Sequence, residues 1–299
     1  MKKKLSLFLS LLLVTICKSQ ESYHLNYGIW TETIDTLDKN PLKYSIDNSI
    51  YKPGSIFTYS LKIQNKIQNE VVCNFSEKTN TLDPAGFKSW DLVDKSQKDT
   101  TTLEYISVRV VKDPLNMELS AYDSKYTQTY IWIDYKNSQK VTFGYRMDST
   151  HWNPEFRGRF IPGGDLTGVI ENKKNIWMHP PRTKFFRINQ LNPYPFIQFP
   201  INVGEKWSWN LKIGGHWGDN RWAEWKGNVE VKSDYEITEK TTRQTRLGIL
   251  DCYRVECVGN SPLGITHLTY YFNPEYGFIY MEYTNIDKSK TILELIEKS

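Results

Sequence analysis

Apolar and polar residues alternate along most of this 299-residue chain. The plainest run is Lys206 to Ile213, where Trp207, Trp209, Leu211 and Ile213 alternate with Lys206, Ser208, Asn210 and Lys212. Successive side chains of a strand leave opposite faces, so this period of two predicts a half-buried strand with Trp207 and Trp209 in the core. Phe57, Tyr59, Leu61 and Ile63 repeat the pattern, with Val71 to Phe75 as the expected partner. Val229, Val231, Tyr235 and Ile237 alternate with Glu230, Lys232, Asp234 and Glu236, which predicts a strand wet on one side. Leu103 to Val111 is rich in β-branched residues. Thr127 to Tyr135 carries Ile131, Ile133 and Tyr135 on one face and Tyr130 and Trp132 on the other, as a central strand covered on both sides would. Ile249, Tyr253, Val255 and Cys257 share a face of a later strand, and Thr291 to Ile296 is the last.

The breaks between these runs carry turn chemistry. Asn273-Pro274-Glu275-Tyr276-Gly277 separates Leu268 to Phe272 from Phe278 to Tyr283, and its Pro and Gly positions suit a type I turn closed by a left-handed glycine. Lys136 to Lys140 predicts a second hairpin into Val141, Phe143 and Tyr145. Glu171 to Lys174 predicts a third, between Leu166 to Ile170 and Asn175 to Met178. Pro180-Pro181 stops that ladder, and the Pro-aromatic stretch Phe185 to Pro200 is expected to run extended across the core edge. Asp83-Pro84 resembles a helix start and predicts a short helix with Phe87, Trp90 and Val93 inward. Residues 20–53 form an irregular arm ending at Pro53-Gly54, and 148–165 is a loop and a possible sub-boundary. Serial strands with short connections give an all-β fold over 54–299: a large curved antiparallel sheet, a half-barrel-like meander with at most one or two short helices.

The N-terminus changes the charge. Lys2 to Lys4 precede an apolar run from Leu5 to Ile16, too short to span a bilayer, so residues 1–19 predict a secretory signal peptide with Gln20 as the mature first residue. Lipid attachment at Cys17 is the competing reading, against which stands the bulky Ile16 before the cysteine. Removing this segment takes away Lys2, Lys3, Lys4 and Lys18 and no acid, so the 38 basic residues fall to the 34 that balance 34 acids. That neutrality leaves no electrostatic footprint for nucleic acid. Nothing else is long and apolar enough to span a membrane, so no transmembrane segment is expected in the mature chain. The chain is placed outside the cytoplasm, in the periplasm or at the cell surface.

Cys73, Cys252 and Cys257 remain, an odd number. Cys252 and Cys257 are five apart in one expected strand, on opposite faces, and cannot bond to each other. A bridge from Cys73 to either, or three buried thiols, both fit. Neither a disulfide framework nor a zinc framework does.

Three phrases, V-G-E-K-W-S-W at 203–209, G-I-L-D-C-Y-R-V-E at 248–256 and Y-F-N-P-E-Y-G-F-I-Y at 271–280, resemble uncharacterised exported envelope proteins of Bacteroidota-like bacteria. The resemblance covers the last hundred or so residues and implies a curved sheet akin to lipoprotein-carrier half-barrels. It implies no catalytic residues.

The chemistry-bearing residues are sparse. His24, His151, His179, His216 and His267 form no metal-ligand spacing, and no cofactor fingerprint or G-x-S-x-G elbow is present. No catalytic residue, metal or cofactor is therefore assigned. His216 with Asp219 is the one local His/carboxylate pair in a Gly-rich loop. Glu155, Asp165, Asp219 and Glu224 are the acids near aromatics that a glycosidase pair could draw on. What stands out is the aromatic load: ten Trp and 19 Tyr. Trp152, Trp177, Trp217, Trp222 and Trp225 fall outside the cleanest strand positions. The candidate ligand-binding set is Trp217, Trp222, Trp225, Arg221 and His216, since exposed indoles stack on sugar faces or receive acyl chains. The expected role is a non-enzymatic binding or carrier module for an apolar or glycan ligand, with lipid, lipoprotein or glycan as partner. A carboxylate-pair hydrolase and a structural envelope component are the alternatives.

Overall fold

The alternation read along the chain becomes one 14-stranded antiparallel sheet with a separate two-stranded hairpin. The computed structural model describes residues 23–26, 28–32, 48–79, 88–99, 102–110, 129–137, 164–182 and 184–299. In chain order the strands are β1 Tyr23–Asn26, β2 Ile29–Glu32, β3 Ile56–Gln64, β4 Glu70–Thr79, β5 Lys88–Asp94, β6 Leu103–Val110, β7 Thr129–Asn137 and β8 Gly164–Glu171. They continue with β9 Asn175–Met178, β10 Phe196–Gln198, β11 Lys206–Gly214, β12 Asn228–Thr245, β13 Gly248–Ser261, β14 Gly264–Asn273, β15 Gly277–Thr284 and β16 Lys290–Lys298. The described helical turns are all of the 3-10 type, at Lys95–Gln97, Lys184–Leu191 and Gly215–Trp217.

Two meanders meet at β3. Strands β6 to β10 follow it on one side, and β16 back to β11 on the other, while β4 and β5 branch off at the end of β3. The expected partnership of β3 with Val71 to Phe75 therefore holds only at Ile63–Val71 and Gln64–Glu70. The long partners of β3 are β16 and β6. The sheet ends, β10 and β11, approach each other through side chains. Phe196 packs edge-on to Trp207 at 6.0 Å, and Trp177 edge-on to Trp209 at 5.9 Å. The result is a nearly closed barrel with Trp207 and Trp209 in its core, 9% and 4% exposed.

The N-terminal arm closes this seam. At the tip of the β1–β2 hairpin, Gly28 has φ +88°, and a Cβ there would lie 3.2 Å from Trp209 Cδ1. Only a residue without a side chain brings the turn this close to β11. On the other flank, Trp30 N donates to Asn175 Oδ1 (2.6 Å), while Asn172 Nδ2 (2.8 Å) and Asn175 Nδ2 (3.1 Å) donate to Trp30 O. The arm thus touches both ends of the sheet and is not wholly irregular. Its last residues are pinned by Glu171, whose carboxylate accepts from Ser49 N and Oγ (both 2.7 Å), Ile50 N (2.9 Å) and Tyr51 N (2.8 Å).

The barrel interior holds its own chain. Phe185 to Pro200 is expected along the core edge, but Phe186, Ile188, Asn192, Tyr194 and Phe196 are fully enclosed, and the stretch from Gln198 to Pro200 reaches the surface. A buried irregular segment must satisfy its backbone carbonyls without water. Here hydroxyls from the sheet do so. Thr266 Oγ1 donates to Leu191 O (2.9 Å), Tyr235 Oη to Tyr194 O (3.0 Å), and Tyr270 Oη to Phe196 O. Asn192 Nδ2 adds a bond to Asn285 Oδ1 (2.6 Å). The inner face of β12 and β14 is therefore covered by residues 191–196, not left open to a ligand.

The hairpin at 273–277 forms as expected: Asn273 Oδ1 accepts from Glu275 N and Tyr276 N (both 2.8 Å), and Gly277 has φ +78°. Of the expected hairpin at 136–145, Lys136 and Asn137 end β7 and 138–145 lie outside the described residues; of the expected loop at 148–165, residues 148–163 lie outside them, and Gly164 and Asp165 open β8 instead. Two expectations are corrected. Lys88–Asp94 is a strand and not a helix, because its residues pair with β4, Val93 with Val72 and Leu92 with Cys73; Asp83-Pro84 and Phe87 lie outside the described residues. On β13, Val255 and Cys257 point inward, but Ile249 is 72% exposed and Cys252 is buried instead. The register against β12 shifts between Ile237 and Glu239, with Thr238 as the extra residue on β12, and alongside it the buried face of β13 changes between Val255 and Cys252. Cys73, Cys252 and Cys257 are buried free thiols. Burial pushes Cys73 up to about 12 and Cys252 up to about 11, so neither is a ready thiolate.

Candidate functional site

The connection from β11 to β12 folds as a small unit on its own apolar base. Gly215 N donates to Gly227 O (2.6 Å), joining the two stems. Asp219 O accepts from Trp222 N (3.1 Å) and Ala223 N (3.0 Å), and Asp219 N donates to Ala223 O (2.9 Å), which closes a tight turn. Beneath it lies a cluster separate from the main core: Leu191, Ile213, Val229 and Val231, with Trp217, Trp222 and Trp225 half-buried against it. All three candidate indoles therefore pack on one side and face outward on the other.

Their outer neighbours differ. The guanidinium carbons of Arg182 and Arg187 each lie 5.8 Å from the Trp217 ring. The Arg221 guanidinium lies 4.7 Å from the Trp222 ring. Trp225 instead donates its indole N–H to Ile213 O (3.1 Å), covering backbone of the edge strand β11. Arg182 and Arg187 come from the segment that enters the barrel, and no local spacing in the sequence ties them to Trp217. Trp177, grouped with the loop indoles on sequence grounds, belongs to the main core on β9. Trp152 lies outside the described residues.

Charged groups of the loop are already engaged with one another. Asp219 is gripped by Arg221, Nε to Oδ1 and Nη2 to Oδ2, both at 2.8 Å. Burial works to raise its carboxyl, but the Arg221 hydrogen bonds and the charges of Arg221 and Arg187 hold it below the usual carboxylate range. A carboxylate held this way is committed to its arginine, and the candidate His216/Asp219 pair is not hydrogen-bonded. The His216 ring lies 5.1 Å from Trp217, and the His216 carbonyl accepts from Arg187 Nη2. Of the other acids, Asp165 stands on β8, Glu224 is exposed on the loop, and Glu155 lies outside the described residues. Among the described residues no three His, Cys, Asp or Glu side chains gather as a metal site, and no helix is long and apolar enough to cross a membrane.

No family model and no curated protein matches the chain. Two solved structures overlap it loosely. A protein of Bacteroides fragilis with a YmcC-like fold, inferred to be exported, aligns over 83% of this chain and 96% of its own at 10% identity and a TM-score of 0.36. An inferred lipoprotein of Parabacteroides distasonis aligns over 85% of this chain and 100% of its own at 12% identity and a TM-score of 0.40. Scores this low carry neither fold nor function across, and the architecture rests on this chain's own ladders.

Proposed function

We propose that this is an exported protein of the bacterial envelope whose 215–227 loop is a non-enzymatic binding platform for a glycan. Export is supported by the basic and apolar leader over residues 1–19. The observation that carries the platform is the trio of half-buried indoles on a separate apolar base, with arginines laid against Trp217 and Trp222. Flat apolar faces edged by donors suit a sugar ring, which has a C–H face and a rim of hydroxyls. An acyl-chain carrier is supported less, because residues 191–196 already occupy the inner face of β12 and β14.

The test is a titration of intrinsic Trp fluorescence with soluble oligosaccharides on the mature chain. A saturable change is expected, weakened about tenfold or more in Trp222→Ala and Trp217→Ala. An identical response in wild type and both variants, or no response to neutral and acidic sugars alike, removes the loop from the reading. N-terminal sequencing of the exported product tests the leader: a start at Gln20 is expected, and an unprocessed Met1 contradicts it. A start at an acylated Cys17 keeps export but replaces the cleavage site. One observation favours a second reading, a structural envelope component: residues 191–196 cover the inner face of β12 and β14.

A further inference from the structure

We infer that the end of the barrel beside the platform docks on the surface of a lipid bilayer, through apolar side chains on three neighbouring turns; this goes beyond the platform reading and does not rest on it.

The ladders bring the turns together. Gln64 pairs with Lys290, Lys290 with Thr284, Thr284 with His267, and Ile265 with Asn260. The turns at 65–69, 285–289 and 261–264 therefore stand side by side at one end of the sheet. Asn260 pairs with Lys232, and Asn228 with Gly214, so the 215–227 loop rises from the same end. Side chains tie the turns to one another. Gln68 Nε2 donates to Lys288 O (3.0 Å), and Lys288 Nζ donates to Ile265 O (3.4 Å). Gln68 and Lys288 have φ of +65° and +71°, and among the described residues they are the only ones besides glycine in the left-handed region. Such backbone persists where its surroundings fix it, which gives this end a set shape.

That end presents apolar side chains outward. Ile67 is 69% exposed and Ile265 47%. Leu263 and Ile286 are half-buried on the same small base as Trp217, Trp222 and Trp225. From β3 to β11 the rim covers six strand spacings, about 29 Å. Apolar side chains on separate turn tips form no groove for a peptide. They fit a medium that yields around each of them, as the boundary between headgroups and acyl chains does, and indoles favour that same depth. The charges agree. The charged residues of the three turns are Lys66, Asp287 and Lys288. Asp287 faces its own turn, accepting from Ser289 N (2.9 Å) and Oγ (2.6 Å). Lys66 and Lys288 are exposed, with no carboxylate partner among the described residues, and complement anionic lipid phosphates.

The experiment sediments the chain from Gln20 onward with sucrose-loaded vesicles of phosphatidylethanolamine and phosphatidylglycerol. Saturable binding is expected in the wild type. Ile67→Ser and Ile265→Ser should each weaken it about tenfold, the effect of keeping one isoleucine out of the apolar phase. Val203 and Ile249 are also exposed but stand at the opposite end of the sheet, so Val203→Ser and Ile249→Ser should bind as the wild type does. Thermal melts of all four variants should match the wild type, and an unchanged oligosaccharide titration in Ile67→Ser/Ile265→Ser shows the platform intact. Wild type left in the supernatant, or equal losses from substitutions at the two ends, overturns the docking inference and leaves the platform standing. Loss confined to Val203→Ser and Ile249→Ser overturns it by placing the membrane at the other end. Self-association in analytical ultracentrifugation that Ile67→Ser abolishes, without vesicle binding, replaces the bilayer by a second copy of the chain. Vesicle binding that depends on Ile67 and Ile265, beside a failed oligosaccharide titration, upholds the docking and removes the platform alone.

Discussion

Gly214 separates two sets of indoles that share a residue type and little else. Before it, Trp207 lies flat on Tyr235 at 5.3 Å, and Trp209 packs against Tyr194 at 5.0 Å, both sealed in the barrel seam. After it, Trp217 and Trp222 rest one face on a small apolar base and meet arginine on the other. The first set packs against other rings, Trp207 against Phe196 and Tyr235 and Trp209 against Trp177 and Tyr194. The second set has cationic neighbours and a surface to spare. An indole's role is thus set by what the distant chain brings to it, here the 177–196 segment, which supplies rings to one set and guanidinium groups to the other.

The comparison breaks most visibly by removing a core indole. Trp209→Ala should cost about 3–5 kcal/mol in urea unfolding, because its cavity opens where both sheet ends and the Gly28 turn converge. A loss below about 1 kcal/mol would show that the seam does not depend on it. Acid should separate the two regions next. His179 lies 4.7 Å from the Tyr194 ring with Nδ1 on Pro180 O (2.7 Å), and burial, then the charge of Arg182, depress its pKa to about 3. The folded ring stays neutral while the unfolded one gains a proton near pH 6.5, so stability should fall as pH drops below that value, by no more than about 1.4 kcal/mol per pH unit. His179→Asn should flatten the slope between pH 6 and 4, and an unchanged slope would place the titration elsewhere.

A smaller effect is expected from Tyr235→Phe, about 1–2 kcal/mol, since Tyr194 O then lies buried without its donor. The loop should respond least. Its pair is Asp219 with a half-exposed Arg221, and the folded carboxyl titrates below the unfolded one. That pair stabilises the loop above the unfolded value near pH 4 and is lost as pH falls through the folded value, for at most about 1 kcal/mol. Asp219→Asn should therefore remove a red shift of loop emission that wild type shows only in strong acid, with the main unfolding transition unmoved.

What the sequence made legible was local. The strand Lys206–Gly214 follows from alternation, and the Asn273–Gly277 turn from its own Pro, Asn and Gly chemistry. Pairing decided what local patterns misread. Residues 88–94 look helical beside Asp83-Pro84 until Val72 and Cys73 are opposite them, and Ile249 looks buried by alternation although the buried face of β13 changes between Val255 and Cys252. The candidate loop showed in its Trp and Gly content, but not its partners. Arg182 and Arg187 reach Trp217 only because the segment after Pro181 turns into the barrel, held by hydroxyls from β12 and β14. Periodicity reports which way a side chain leaves its own strand and nothing of what arrives from elsewhere.

The contrast between the two sets of indoles is tested most directly by quenching Trp fluorescence with iodide and with caesium. The loop indoles are half-open with guanidinium groups laid against Trp217 and Trp222, so iodide should quench a fraction of the emission that caesium does not. That fraction should vanish in Trp217→Phe/Trp222→Phe and persist in Trp207→Phe. Equal quenching by the two ions, or an iodide-sensitive fraction that survives the loop substitutions, would contradict it.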